Sequence, residues 1–108
     1  MPTPVFLGEF EQFVLLAILK RGNEPSAIEV REEMTAIAGR EVARGALYRT
    51  LDRLEGKGYV RWRLEPGEAA RAGLPRRRFA VTAAGVARLR ASRSALTELW
   101  ASVDGALE

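Results

Sequence analysis

The sequence predicts a mainly α-helical domain that contains one small β-hairpin and ends in a long helix. Apolar residues recur at steps of three and four through residues 9–54, the period of helices with one buried face. The period changes to two in residues 60–65 and 76–81, where arginines alternate with apolar residues as in a strand. A helical pattern returns at residue 82 and continues almost to the end. The 108 residues are the length of a single domain.

The first two predicted helices have clear signals at their ends. Residues 9–21 form an amphipathic pattern that Gly22 ends, and a second pattern runs from residue 27 to Gly39. Ser26 precedes the second helix and Glu29 follows three residues later, which is the spacing of a capping box. We therefore expect two helices joined by a short turn.

The third helix, the hairpin and the last helix follow directly. Leu47, Leu51 and Leu54 lie on one narrow arc of a helix that ends near residue 56 or 58. Two strands come next, separated by a tip over residues 66–75 that is rich in proline, glycine and alanine. Thr82 is placed to cap the last helix, which would overhang so small a domain if it continued to residue 107.

This order of elements is that of a winged helix-turn-helix domain. We assign residues 1–81 to this DNA-binding domain and residues 82–108 to a C-terminal dimerisation helix. The second helix of a helix-turn-helix motif lies in the major groove of DNA, and here it is the third helix of the chain.

The charge distribution also indicates DNA. Residues 40–93 contain 14 Lys or Arg and 5 Asp or Glu, a net charge of +9, whereas the segments on either side each carry −3. Fifteen of the 17 cations are arginine, whose planar guanidinium makes paired hydrogen bonds to phosphate and to guanine. A basic block of this kind indicates a polyanionic partner, and double-stranded DNA is the leading candidate.

The composition excludes several other functions. Hydrophobic residues form 47% and charged residues 29% of the chain, and no apolar run approaches the ~20 residues of a membrane span. Cysteine and histidine are absent, which removes thiolate chemistry and the commonest general base and zinc ligand. The start MPTPVFLGEF has neither the basic head nor the long apolar stretch of a secretory signal. We expect a cytoplasmic protein with no catalytic activity, no cofactor, no metal and no membrane contact.

The third helix presents a distinct outer face once its leucines are turned inward. Gly45 and Arg49 lie opposite the leucines, and Tyr48 and Arg53 flank them. Arg49 is placed to reach a base edge, and Gly45 would let the helix approach the groove closely. The alternative is that Tyr48 covers the core edge and that the two arginines are solvated.

The hairpin, or wing, carries further arginines. Arg61, Arg63, Arg76 and Arg78 are predicted to share its outward face, and two more lie at or near the tip. Like charges opposite one another are unfavourable unless a polyanion such as the DNA backbone is present, although an ordinary solvated face is the alternative. The predicted DNA-binding residues are Arg44, Gly45, Tyr48, Arg49, Arg53, Arg61, Arg63, Arg71, Arg76, Arg77 and Arg78.

Three stretches carry a family resemblance: LGEFEQFVLLAILKRG, REVARGALYRTLDRLEGKGYVRWRLE and PRRRFAVTAAGVARL. They resemble the PadR family of bacterial transcriptional regulators over residues 7–90, most specifically in ALYRTLDRLEGKGYV. The resemblance implies a homodimeric regulator, usually a repressor, on an inverted-repeat operator. It places the recognition helix at residues 44–57 and the wing at residues 61–78, and the single last helix is similar to that of the short subclass.

The chain departs from the family pattern at two places. Ser26 and Ala27 stand where the family commonly has a Tyr-Gly pair. Ala43 stands where a serine often caps the recognition helix, and a missing cap costs about 1 kcal/mol.

The last helix carries a row of apolar residues that needs a partner to cover it. The phenylalanines near the first helix of a second copy are the nearest apolar residues that could do so. Trp100 and Leu96 would line a flat cavity for a planar hydrophobic effector in such a dimer, unless Trp100 only packs the interface. The predicted dimer interface consists of Phe6, Phe10, Phe13, Leu89, Leu96, Trp100, Val103 and Leu107.

These observations predict a sequence-specific regulator of transcription, acting as a repressor and a homodimer. The main alternative is a winged-helix protein-interaction module whose basic wing meets an acidic protein surface. An enzyme is a distant third, because no acid/base pair, phosphate loop or nucleophile arrangement is found.

Overall fold

A computed structural model describes residues 6–39, 41–65 and 76–107. Its order of helices and strands confirms the predicted winged helix with a long C-terminal helix. The strands pair as one antiparallel hairpin, and a short 3₁₀ turn follows the last helix. The elements are α1 (Glu9–Lys20), α2 (Ala27–Ala38), α3 (Arg44–Gly56), β1 (Val60–Leu64), β2 (Arg77–Val81) and α4 (Ala83–Val103).

The helix ends are fixed as the sequence indicates. The Ser26 hydroxyl accepts a hydrogen bond from the Glu29 N–H, and the Glu29 carboxylate accepts one from the Ser26 N–H, so the capping box of α2 is confirmed. α2 ends at Gly39, whose φ of 70° lies in the left-handed region. Thr82 caps α4 by accepting from the Gly85 N–H at 3.1 Å. Ala43 precedes α3 without a side-chain cap, as expected.

The core is formed where the three short helices meet the hairpin and the start of α4. Burial of these apolar side chains is the main favourable contribution to folding. Leu47, Leu51 and Leu54 of α3 face inward, as predicted. The other elements contribute Val14, Leu15, Ile18, Val30, Met34, Phe79, Val81 and Leu89.

The hairpin is held against the turn between α1 and α2. The Phe79 N–H donates to the carbonyl oxygen of Pro25 at 2.9 Å. The Val81 N–H donates to Oδ1 of Asn23 at 2.8 Å, and Asn23 adopts a left-handed φ of 60° that asparagine accepts more readily than most residues. These bonds fix the strands of the wing on the body of the domain.

The first turn of α4 passes so close to the hairpin that it requires glycine. A Cβ on Gly85 would lie 2.7 Å from Cγ1 of Val81 and would also collide with the carbonyl oxygen of Tyr59. Further along, Ser92 is the last buried residue of the helix and accepts a hydrogen bond from the Leu7 N–H at 3.0 Å. Beyond Ser92 the helix extends away from the core.

Several boundaries and assignments differ from the predictions. β2 begins at Arg77 rather than at residue 76, so Arg77 is the strand residue nearest the tip. α4 ends at Val103, because the chain continues as a 3₁₀ turn over Asp104–Leu107. Leu89 is only 7% exposed and packs in the core of its own chain, so little of its side chain is available to the predicted dimer interface. Arg71 lies outside the described residues.

Candidate nucleic-acid interface

The exposed side of α3 carries Arg49 beside Gly45. Nη1 of Arg49 lies only 3.1 Å from the position that a Cβ of residue 45 would occupy. The guanidinium therefore lies back over the first turn of the helix, in space that exists because residue 45 has no side chain. Gly45 thus leaves room for the side chain of Arg49, a role that the sequence analysis did not anticipate.

Two other predicted residues of α3 differ in their surroundings. Tyr48 is half-buried and packs against the hydrophobic core, which favours the alternative that it covers the core edge. Arg44 is the first residue of α3 and is exposed. It belongs to the first turn of the helix, whose unpaired N–H groups favour an anion.

Arg53 is held by a buried carboxylate of α1. Oε2 of Glu11 accepts a hydrogen bond from Nε of Arg53 at 3.2 Å and one from Nζ of Lys57 at 3.0 Å, and Oε1 accepts from the Gly8 N–H at 3.0 Å. Burial raises the pKa of Glu11, but these hydrogen bonds together lower it below its ordinary value. Arg53 thus ties α3 to α1.

Two of the four arginines on the outward face of the wing are paired with carboxylates. Arg63 and Arg78 are cross-strand neighbours. Nη2 of Arg63 lies 3.2 Å from Oε2 of Glu24, and Arg78 binds Glu29 at 2.8 Å and Glu65 at 2.6 Å. The prediction that this like-charge pair would be unfavourable without a polyanion is wrong, because carboxylates of the same chain neutralise both cations.

Glu29 joins the start of α2 to the wing. Its carboxylate accepts hydrogen bonds from the N–H and hydroxyl of Ser26 and from Arg78. The Ser26 N–H lowers the pKa of Glu29, burial opposes this, and the Ser26 hydroxyl and Arg78 lower the pKa further. Arg78 is therefore anchored to α2 in this structure.

Arg77 lies on the opposite face of the hairpin, toward α3. Its Cζ is 5.3 Å from the ring centroid of Trp62 and 5.2 Å from that of Phe79. Its Nη1 is 3.8 Å from Oδ1 of Asp52, which is an ion-pair distance. Arg77 pairs with Leu64 in the last pair of the ladder before residues 66–75, so it lies near the tip end of the wing, as predicted.

The predicted arginines therefore fall into two groups. Arg53, Arg63, Arg77 and Arg78 have partners in the chain. The remaining ones make no side-chain hydrogen bond or ion pair within residues 6–39, 41–65 and 76–107, and they are exposed. These free arginines are Arg44, Arg49, Arg61 and Arg76.

A second surface lies where α4 leaves the body of the domain. Leu96 and Trp100 are 47% and 57% exposed, and they line an open groove of about 570 Å³ between α4 and α1, with Leu16 on the opposite wall. Arg90 and Arg93 also line this groove. The C-terminal half of α4 thus presents an apolar face that its own chain does not cover.

The predicted interface residues are only partly on this surface. Phe6 and Phe13 are exposed, whereas Phe10 is half-buried and packs against the core of its own chain. Val103 and Leu107 are exposed at the end of the chain.

The sequence analysis missed two apolar residues and the partners that the arginines have within the chain. Leu16 and Leu99 are exposed and follow Phe13 and Leu96 by three residues, a spacing that could have identified them. Glu11, Asp52 and Trp62 carried no local signal, because their arginine partners are distant in sequence or across the hairpin.

Two searches of the described residues gave negative results. None of the helices in residues 6–39, 41–65 and 76–107 has both the length and the apolar character needed to cross a membrane. The same residues contain no group of three or more side chains suited to hold a metal ion.

Residues 15–91 match the family model described as the transcriptional regulator PadR-like family. The matched segment begins inside α1, includes α2, α3 and the hairpin, and ends in the first half of α4. No curated protein sequence matches the chain.

Solved structures of PadR-like proteins have the same fold. The chain superimposes on a PadR-like transcription factor from Bacteroides fragilis with a TM-score of 0.74, at 22% identity, covering 89% of this chain and 87% of that one. A PadR-like transcriptional regulator from Bacillus cereus gives a TM-score of 0.73 at 18% identity, covering 92% and 91%. A PadR family regulator from Eggerthella lenta gives 0.71 at 22% identity, covering 93% and 87%.

Proposed function

Because the chain belongs to the PadR-like family of transcriptional regulators, we propose that it binds double-stranded DNA sequence-specifically as a homodimeric repressor. The observation that carries this proposal is the set of free arginines on α3 and the wing. Arg49 is exposed on the side of α3 opposite the leucine arc, while Arg61 and Arg76 lie on the adjoining hairpin. Cations without partners in the chain are the ones available to phosphates and base edges.

We assign each of these arginines to a base edge or to phosphate according to its position in the fold. Arg49 and Arg44 belong to the helix that enters the major groove in helix-turn-helix proteins, so Arg49 is assigned to a base edge. Arg61 and Arg76 are assigned to phosphates beside the groove. Arg71 of the tip is kept as a further phosphate contact.

The homodimer is supported by the uncovered face of α4. Leu96, Trp100 and Val103 are exposed, and burial of this face against α1 of a second copy would remove it from water. Two copies related by a two-fold axis would then read an inverted repeat with half-sites about 34–36 Å apart.

The effector is assigned to the same region. A planar hydrophobic compound would stack on Trp100 beside Leu96 in the groove between α1 and α4. It would release DNA only if it binds the free and DNA-bound dimers with different affinities. Quenching of Trp100 fluorescence by planar dyes in a Trp62→Phe background tests the binding, and operator affinity at saturating dye tests the regulation.

The experiment for the DNA-binding function starts from a random duplex library, because the operator is unknown. The selected duplexes should contain an inverted repeat and should bind much more tightly than random DNA at the same salt concentration. A library that gives no preferred sequence would contradict the proposal. Binding to an acidic protein surface, with no preference among duplexes, would instead support the interaction module.

A further inference from the structure

The guanidinium of Arg77 has neighbours on three sides at the start of β2, on the face of the wing that is turned toward α3. The rings of Trp62 and Phe79 are cross-strand neighbours, and each centroid lies just over 5 Å from Cζ of Arg77. Aromatic faces attract a cation at this distance. The remaining side of the guanidinium approaches the carboxylate of Asp52. We call these four residues the Arg77 stack.

Asp52 connects the Arg77 stack to α3, the helix that carries Arg49. It is exposed on the outer side of α3, and it follows Arg49 by three residues, which places the two side chains on adjacent turns of the same face. The contact from Arg77 to Asp52 therefore joins the wing to α3 beside the residue assigned to the base edge.

The side chain of Arg77 is only 31% exposed, whereas that of Asp52 is 66% exposed. The two rings and the carboxylate cover much of this guanidinium, so little of it is open to a phosphate. The neighbouring Arg76 has no such partners in the described part of the chain. The two adjacent arginines thus have different surroundings.

We infer that Arg77 is a positioning residue that fixes the wing against α3 through Trp62, Phe79 and Asp52, and so contributes to sequence selectivity without contacting DNA. This inference rests on the proposed DNA-binding function. A wing held at a fixed distance from α3 places Arg61 and Arg49 on phosphate and base at the same time. A wing that is free to move still contacts phosphates, but at no fixed position relative to the base contacts of α3. Loss of the Arg77 stack should therefore weaken binding to random DNA less than binding to the operator.

The first test needs no DNA. In a Trp100→Phe background Trp62 is the remaining tryptophan, so its fluorescence reports on the stack. Arg77→Lys keeps the charge but removes the planar group, and Arg76→Lys is the matched control. We expect Arg77→Lys to make Trp62 more accessible to acrylamide, with a larger quenching constant, while the control equals its parent. Equal quenching in all three proteins would overturn the stack.

The second test measures the ratio of operator affinity to random-DNA affinity in proteins that retain Trp100. Arg77→Lys and Asp52→Asn should each lower this ratio by at least about twofold, and the double variant should lose no more than the larger single loss. Glu55→Gln, which neutralises another exposed carboxylate of α3, is the control for a general effect of charge.

The rival role, a phosphate contact, gives a different pattern. Arg77→Lys would then bind like the parent, and Arg77→Gln would weaken operator and random DNA alike and reduce the slope of log K against log salt by about 0.9. That outcome would overturn the inference while the proposed function stands. If no duplex is preferred at all, the proposed function fails and the selectivity role fails with it, whereas acrylamide quenching still decides whether Arg77 holds the wing.

Discussion

Nε of Arg53 donates to Oε2 of Glu11 at 3.2 Å, and this bond joins the recognition helix α3 to α1 across 42 residues of sequence. Lys57, one turn further along, donates to the same oxygen. The other carboxylate oxygen accepts the Gly8 N–H at the start of α1. A single buried carboxylate therefore fixes the C-terminal half of α3 on the helix that also borders the α4 groove.

Replacement of this carboxylate should destabilise the fold. Glu11→Gln removes the charge and leaves two cations with a weaker acceptor, so we expect the free energy of unfolding to fall by about 1–3 kcal/mol. Denaturant unfolding measures it, and Glu9→Gln, at an exposed position of the same helix, is the control. Equal stability of Glu11→Gln and Glu9→Gln would show that the hydrogen bonds of Glu11 make no net contribution to the free energy of unfolding.

Stability should also fall in acid. The pKa values of Glu11 and Glu29 are lowered in the folded protein, so the unfolded chain binds protons more readily at these groups. Their contribution is complete above about pH 4.3, the ordinary glutamate value, and is lost as the pH falls through the lower folded values. Unfolding curves between pH 6 and pH 3 should show this decrease, and Glu11→Gln should show a smaller one. The same pH dependence in both proteins would contradict it.

The local features of this fold were predictable because they depend on neighbouring residues. The Ser26–Glu29 capping box and the inward arc of Leu47, Leu51 and Leu54 need only a spacing of three or four residues. The partnership of Glu11 with Arg53 was not predictable, since no period relates residues so far apart in sequence.

The pairing of the hairpin was also beyond the sequence. The sequence of residues 66–75 does not set the register of the two strands, and register decides which side chains meet. The cross-strand pairs Trp62 with Phe79 and Arg63 with Arg78 therefore became known only from the structure. For this reason the arginines of the wing were predicted as a uniform cationic face, although several of them have partners within the chain.

Gly45→Ala should separate stability from DNA recognition. Alanine favours the helix by up to about 1 kcal/mol, but its Cβ would occupy space 3.1 Å from Nη1 of Arg49 and displace the guanidinium. We expect unchanged or higher thermal stability with weaker operator binding and little change on random DNA. Gly56→Ala is the control, because no atom lies within 4 Å of its added Cβ. Operator affinity equal to that of the parent would show that Arg49 does not need this space.

Leu96→Glu should prevent dimerisation. It places a carboxylate on the apolar face of α4, where the apolar side chains of a partner would have to remove it from water. Sedimentation should give a monomer that retains the helical circular dichroism of the parent. Ser94→Glu, on the other side of the helix, should remain a dimer because residues 94 and 96 are about 200° apart around the axis. A Leu96→Glu dimer would place the interface elsewhere.

The free and the paired arginines of the wing should respond differently to removal. Arg61→Ala takes away a cation with no partner in the described part of the chain, so it should leave stability within about 0.5 kcal/mol and lower the salt slope of DNA binding by about 0.9. Arg78→Ala instead leaves Glu29 and Glu65 without their cation, so it should lower the free energy of unfolding.

Chemical denaturation and DNA titration at several salt concentrations, applied to both variants, give the comparison. We expect Arg61→Ala to change DNA binding and Arg78→Ala to change the free energy of unfolding. Equal effects of the two substitutions on the salt slope would mean that Arg78 releases its carboxylates when DNA binds. The division between free and anchored arginines would then hold only for the unbound protein, because phosphates would compete successfully with Glu29 and Glu65 for the same guanidinium.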